Sequence, residues 1–490
     1  MKLCELVYDD ECALAYEEKE MEIGTVTTDI KKIGSNTLFF ILTEPALKEF
    51  MLSGAEPSIV IYDEKVKFST KNSSRNRKFI SCDNARKLLA NAYSRFCGID
   101  YSTLKFIGVT GTNGKSSIAS LITRILRDAG YSVGFIGTGK IELDDSIISD
   151  SEYSMTTPDP WVLYPSIKLM QDAGCNVIVM EVSSHALALD KVAPIHFDYA
   201  VFSNLSAEHL DFHKSMEQYF LSKQKLFSQC SVGLFNIDDA YARRSSKEFG
   251  GRKINAGILW RGDVWATHIK NYGFEGTEYM YRESDFLFKM RLQLPGVHNI
   301  YNSMLAAALC IDFGVKPCEV KRSLGNISTL PGRFEIIKSD ITVIIDYAHT
   351  QEAFETVLKE ISRSKLPGEK LITLFGCGGE RDRQKRPKMA AAAEKYSNEI
   401  YLTSDNPRSE PPENIIKDIT AGFTSSSYRI ILDREIAIED AIMSAPEGSI
   451  VAIIGKGAEK YSIDINGYHT FDEKSIILSA LERRAAIKEI

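Results

Sequence analysis

Between Lys105 and Leu126 the sequence reads KFIGVTGTNGKSSIASLITRIL, a short apolar run, a glycine-rich turn and an amphipathic stretch. Gly111 and Gly114 free the backbone to curl its N–H groups around an anion, and a helix starting there adds the partial positive charge of its N-terminus. Thr112, Asn113 and Gly114 complete the turn. Lys115 is placed to reach the outer phosphates of a nucleoside triphosphate and the Ser116 hydroxyl to bind Mg²⁺. Val109 stands where the pattern G-x-x-x-x-G-K-[ST] has its first glycine. The alternative is an ordinary glycine-rich turn, but Lys-Ser at the helix start favours a triphosphate site.

Other chemistry-bearing residues fall at the ends of apolar runs. Glu181 closes NVIVME, where a carboxylate would serve a hard cation such as Mg²⁺ rather than simply face solvent. The loop Glu208-His209-Leu210-Asp211-Phe212-His213 is dense in ligand types and fits either a metal site or a hydrogen-bonding network. Behind a triphosphate site the functional reading is the stronger one. Further on, Arg333, Asp346, His349, Arg381, Asp382, Asp405, Asn406, Arg408 and Glu459 cluster after apolar runs or beside glycines. Arginine recognises carboxylates and phosphates through paired hydrogen bonds. A mixture of arginines, acids and an amide suits a zwitterionic amino acid, the alternative being a solvated charged face.

These residues need a frame of strands and helices. Residues 1–98 carry strand-like TVTTDIKK, TLFFIL and SIVIYD and a helical NARKLLANAYSRF, with no catalytic cluster. From 99 to 330 strands and helices alternate, as in a parallel α/β sheet, and QYFLSKQKLFSQC and GVHNIYNSMLAAALCIDFG read as helices. Pro331-Gly332 marks a hinge into residues 331–490, where VIIDYAHT, LITLFGCGG, EIYLTSDNPR and SIVAIIGKG are short strands. The expected fold is α/β in three domains. At 490 residues, 44% hydrophobic, 26% charged and with a net charge of −7, the chain is an ordinary globular one, and nucleic acid is not an expected partner. The opening MKLCELVYDDEC does not resemble a signal peptide, no run approaches the roughly 18 apolar residues of a membrane helix, and nine cysteines without a C-x-x-C pair suit a reducing compartment. A cytoplasmic location follows as an expectation.

VTGTNGKSS, EVSSHAL, FSNLSAEHLDFH, YFLSKQKLF, LPGRFE, DYAHT, FGCGGERDRQKRP, DNPR and GKGAE, in this order, resemble the Mur ligases, most closely the MurE-type branch. The resemblance is strong from about 105 to 465 and weak before it. It implies a small α/β domain for the UDP substrate, a central ATPase and a C-terminal Rossmann-like domain that brings the amino acid. The implied reaction is ATP-dependent: the carboxylate of UDP-N-acetylmuramoyl-L-alanyl-D-glutamate becomes an acyl phosphate, and an amine displaces the phosphate. By the same resemblance Lys115 and Ser116 hold the phosphates and Mg²⁺, and Glu181 and His209 are Mg²⁺ ligands. Lys223 is carbamylated by CO₂ and so becomes an anion for a second Mg²⁺; sequence alone would leave it a surface helix lysine. Thr156, Thr157, Ser183, Ser184 and Lys191 contact the UDP-muramoyl peptide. Asn299, Asn302, Arg333, Asp346 and His349 contact the nucleotide. Arg381, Asp405, Asn406, Arg408, Gly455 and Glu459 form the amino-acid pocket, with DNPR as the signature for meso-diaminopimelate over L-lysine. The resemblance implies a monomer.

Some positions depart from the family pattern. GKGAE has Ala458 for a histidine, Lys191 replaces an arginine and loses its planar fork, and Ile30 in TTDIKK replaces a uridine-contacting serine. A G-x-x-x-DGH stretch gives way to TEPALKEF. These changes leave open a ligase with another acceptor or amino acid (L-lysine, or a folylpolyglutamate-like substrate) and a catalytically silent ATP-binding scaffold.

Overall fold

The computed structural model describes residues 1–8, 11–12, 14–67, 78–144, 146–150, 155–425 and 427–488. The chain divides into two compact units, one of Met1–Thr110, Tyr131–Ala200 and Ser222–Ser231, the other of Gly111–Gly130, Val201–Leu221 and Val232–Ile490.

In the first unit β1 (Thr25–Thr27), β2 (Thr37–Ile41), β3 (Ile59–Asp63) and β4 (Lys78–Cys82) form a parallel sheet in sequence order. Phe39, Phe50 and Val60 fill its core, with Phe39 stacked on Phe50 at 5.0 Å. TVTTDIKK is a strand only over Thr25–Thr27, because the Asp29 carboxylate accepts from Lys31 N at 2.9 Å and winds Ile30–Lys32 into a 3₁₀ turn. NARKLLANAYSRF is helical from Ala85 to Phe96, capped by Asn84. β5 (Lys105–Thr110), β6 (Val133–Gly137), β7 (Lys140–Leu143), β8 (Ser146–Asp150), β9 (Val177–Glu181) and β10 (Phe197–Phe202) follow, in the spatial order β10-β5-β9-β6-β7-β8. β5, β9 and β6 run parallel, and β7 and β8 turn antiparallel. Every residue of β6 and β9 is buried, which is why these strands read as unbroken apolar runs.

The second unit opens with the phosphate-loop candidate and the helix Lys115–Asp128. β11 (Cys230–Asn236), β12 (Arg252–Gly257), β13 (Val264–Asn271), β14 (Thr277–Arg282) and β15 (Leu287–Leu292) lie side by side, parallel from β11 to β13 and antiparallel from β13 to β15. A second sheet takes the order β16-β17-β21-β18-β19-β20, from β16 (Glu335–Lys338), β17 (Thr342–Asp346), β18 (Leu371–Phe375), β19 (Glu399–Leu402), β20 (Tyr428–Ile430) and β21 (Ile450–Ile454). All its pairs but β16–β17 are parallel. Side chains alternate between its faces. Ile344, Phe375, Ile450 and Ile454 pack on one face with Phe354, Leu358, Met389 and Ile419. Val343, Ile345, Ile372, Val451 and Ile453 pack on the other with Ile438, Ile442 and Ile477. Both faces are helix-covered, a doubly wound α/β arrangement. A hairpin of β22 (Tyr461–Asp464) and β23 (Gly467–Thr470) lies outside the sheet. The fold is α/β with large, mainly parallel sheets.

Candidate active site

In the second unit the loop 111–114 is built against Ser203 and Asn204. Thr112 N donates to Asn204 O at 2.8 Å, Asn113 N donates to Asn204 Oδ1 at 2.9 Å, and Ser203 Oγ donates to Asn113 O at 2.6 Å. A Cβ on Gly111 (φ +147°) would lie 1.9 Å from Ser203 Oγ, and one on Gly114 (φ +87°) would lie 2.8 Å from Asn302 Oδ1. Only glycine fits either place. Gly114 is the N-cap of Lys115–Asp128, and it has no side chain with which to cap the first turn. The helix start and the curled loop therefore form an anion cradle. Lys115 Nζ lies over the loop, donating to the carbonyls of Gly111 and Thr112 at 3.0 and 2.8 Å. Asn302 donates to Asn299 Oδ1 at 3.2 Å, and Arg333 Nη2 donates to Ser116 Oγ at 2.8 Å with its guanidinium 4.3 Å from the Tyr347 ring centre.

The loop after β10 resolves into separate roles. His213 is buried and stacked on Tyr219 at 4.9 Å, and Asp211 is exposed. Among the described residues no three His, Cys, Asp or Glu side chains group as a metal cluster. His209 adopts φ +55°, a left-handed conformation costly for a non-glycine residue. Glu208, first of the ligand types in this loop, joins two histidines: Oε1 is 2.9 Å from His349 Nε2 and Oε2 is 3.5 Å from His209 Nε2. Burial pushes its carboxyl up, but the hydrogen bond to His349 and the charges of His349, His209 and Lys115 hold it well below the usual range. Asp346 accepts from Phe334 N and Ala348 N, both at 2.7 Å, and burial raises its pKa.

The expected amino-acid pocket residues come together beyond β19 and β21. Arg408 (φ +55°) donates to Gly379 O at 2.8 Å and Asn406 O at 3.1 Å. Burial, and then the neighbouring Arg381, lower its pKa; Arg381 itself is exposed. Asn406 Nδ2 donates to Glu459 Oε2 at 3.0 Å. Gly455 (φ +127°) leaves room for Asp405, whose Oδ2 would lie 2.7 Å from an added Cβ. Burial and the neighbouring Asp405 push the Glu459 carboxyl up. Behind the loop, the fully buried Arg386 bridges Glu410 and Asp418 at 2.7 and 2.8 Å and anchors the segment carrying Arg408.

In the first unit Glu181 ends β9 and is buried; Thr138 N donates to its Oε1 at 3.0 Å. A Cβ on Gly137 would stand 2.4 Å from that oxygen, so the carboxylate keeps its place only beside glycine. Thr157 Oγ1 donates to Glu181 O at 2.8 Å and accepts from Ser183 N at 2.9 Å, while Thr138 Oγ1 donates to Thr156 Oγ1 at 3.1 Å. Ser183 caps the short helix beginning at Ser184. Thr156, Thr157, Glu181, Ser183 and Ser184 are thus one patch. Lys191 is paired with Asp159 at 2.7 Å. Lys223 is 1% exposed, with Nζ 3.4 Å from Thr110 Oγ1. It is no surface lysine. Its position three residues after Phe220 and four after Tyr219, both buried, was the available signal.

A glycine-built phosphate cradle and a doubly wound α/β sheet ending in paired acids and arginines define a nucleotide-dependent α/β enzyme. Residues 109–310 match the Mur ligase middle domain, and residues 332–457 match the Mur ligase, glutamate ligase domain. A UDP-N-acetylmuramoyl-L-alanyl-D-glutamate–2,6-diaminopimelate ligase of Clostridium acetobutylicum is 36% identical over 487 residues, spanning 97% of this chain and 98% of its own. The ligase of the same name from Aquifex aeolicus is 41% identical over 407 residues, 82% of each chain. A solved structure of a UDP-N-acetylmuramoyl-L-alanyl-D-glutamate–2,6-diaminopimelate ligase aligns over 99% of both chains with a TM-score of 0.67 and 26% identity. The chain belongs to the Mur ligase family.

Proposed function

We propose that this protein joins meso-2,6-diaminopimelate to UDP-N-acetylmuramoyl-L-alanyl-D-glutamate at the expense of ATP, a step of peptidoglycan precursor synthesis. The observation that carries this reading is the near full-length similarity to ligases named for that reaction. In the first step a carboxylate oxygen of the D-glutamate attacks the γ-phosphorus, and the bond to the β-phosphate oxygen breaks to release ADP. A diaminopimelate nitrogen, having given up its proton, then attacks the acyl phosphate carbon, and phosphate leaves as the amide forms.

Lys115 and the N–H groups of residues 111–114 would hold the transferring phosphoryl group, where a preorganised positive potential counts most. Asn299, Asn302, Arg333, Asp346 and His349 would position the nucleotide. By family resemblance Ser116 and His209 in the second unit, and Glu181 and the carbamate oxygens of a modified Lys223 in the first, would hold Mg²⁺, which would supply charge neutralisation to the phosphates. Lys223 is buried, and its amine in the neutral form would add CO₂ to give a carbamate and release a proton. Thr156, Thr157, Ser183, Ser184 and Lys191 are assigned to the muramoyl dipeptide. Asp405 and Glu459 would take the distal ammonium of diaminopimelate, and Arg408 with Arg381 its carboxylate. Domains at 1–98, 99–330 and 331–490, a monomeric state and a cytoplasmic setting belong to the same reading; among the described residues no helix is long and apolar enough to cross a membrane.

The test is phosphate release from ATP with UDP-N-acetylmuramoyl-L-alanyl-D-glutamate and either amino acid. A charge-assisted contact of about 1.5–3 kcal/mol predicts at least about tenfold preference for meso-diaminopimelate over L-lysine, lost in Arg408→Ala. Release with L-lysine alone would overturn the amino-acid assignment. Silence with both would point to another acceptor.

A further inference from the structure

The side chain of Lys456 lies among the residues assigned to the amino-acid pocket, and nothing above gives it a role. Its side chain is fully buried. Nζ donates to Asn406 Oδ1 and to Tyr461 O, both at 2.8 Å, and stands 3.7 Å from Asp405 Oδ1 and 3.9 Å from Glu459 Oε2. The rings of Phe471 and Tyr461 flank it at 5.5 and 5.8 Å.

An ammonium can only donate, so it fixes which end of the Asn406 amide it meets. That end is the oxygen, which also accepts from Ile463 N at 3.0 Å. The amide NH₂ must then point the other way, toward Glu459 Oε2. Asp405 and Glu459 are two buried carboxylates close enough to repel, and the ammonium, with Arg434 behind it, compensates their charge. We propose that Lys456 is the positioning residue of the amino-acid pocket: it sets the orientation of Asn406 and holds Asp405 and Glu459 together as an anionic receptor for an ammonium group. Arg408 is assigned to the carboxylate of the same ligand, so Lys456 sorts a pocket of mixed charge into one anionic and one cationic end. This role rests on the amino-acid pocket proposed above.

Steady-state kinetics of the wild type, Lys456→Met and Lys456→Gln, varying each substrate in turn, test it. Loss of the charge raises KM for meso-diaminopimelate by about tenfold or more in Lys456→Met, with KM for ATP and for the UDP-dipeptide within about twofold. Lys456→Gln, which keeps a donor for Asn406 Oδ1 without the charge, falls between, and it carries the test if the Met variant does not fold. An unchanged KM for diaminopimelate in a folded variant overturns the proposal. So does a fall in kcat with all three KM values moving alike, the signature of a merely structural lysine. Wild-type protein that releases no phosphate with diaminopimelate overturns the ligase reading instead, so the two failures are told apart.

Discussion

Lys223 shows what burial adds to a residue type. The side chain of Lys223 is buried, with its Nζ 3.4 Å from the Thr110 hydroxyl. Conversion to a carbamate would replace the cation with an anion suited to a divalent metal. Lys223→Ala should therefore lower kcat by about a hundredfold or more, since the carbamate would act on the charge that develops on the transferring phosphoryl group. Acetate or another small carboxylate should restore part of that rate by filling the space left by the side chain. Full turnover in Lys223→Ala, measured as phosphate release, would remove the carbamate from the mechanism. Glu208 makes the complementary point: the sequence placed it in a loop of ligand types, but only the structure shows one carboxylate between His209 and His349.

At the scale of elements, the start of the helix Arg434–Ser444 is tied to the start of Glu473–Lys488 by a buried ion pair, Arg434 Nε to Glu473 Oε2 at 2.6 Å. Arg434 also reaches the carbonyl of Ile454, the last residue of β21, at 3.4 Å. Removing one partner leaves a buried charge alone, so Arg434→Met should cost about 3–5 kcal/mol, and adding Glu473→Leu should recover most of it. Denaturant titration measures both, and a single variant within about 1 kcal/mol of wild type would contradict the argument. Elements buried on both sides were legible in the sequence for the same physical reason. LITLF, SIVAII and NVIVME are mostly apolar because their strands are buried throughout, and the polar site residues stand at or just beyond their ends. The strands β12 to β15 were not legible as such. β14, TEYMYR, alternates buried and half-buried residues, and its outward Glu278 and Arg282 dilute the apolar signal. The pocket residues were legible only as types near glycines; their convergence on Lys456 depends on contacts between loops far apart in sequence, which no local pattern encodes.

For the whole molecule, stability against pH follows from which carboxyls folding has moved. Asp340 is held at about 2, because hydrogen bonds from Lys488 and Arg484 outweigh its burial, and Glu394 is held at about 2, chiefly by the backbone N–H of Thr424. Acids lowered by folding contribute stability above their unfolded values near 4, and that contribution disappears as pH falls through the folded values. Asp239, Glu283, Asp346 and Glu459 are displaced upward, chiefly by burial. They favour folding more as they take up protons on the way down to their unfolded values near 4, so they oppose the loss from the lowered acids. On the alkaline side Tyr93 and Tyr101 are raised to about 12 by burial, so the unfolded chain ionises first and stability declines above about pH 10. The unfolding midpoint followed by circular dichroism should be nearly flat from about pH 7 to 5 and drop steeply from about 4 to 2. Asp340→Asn separates this cause from general charge repulsion. It should lower the midpoint at about pH 7 and converge with wild type near pH 2, where the Asp340 carboxyl is taking up its proton. A variant whose deficit persists unchanged into acid would assign the loss to packing at the C-terminal helix instead of to the Asp340 charge.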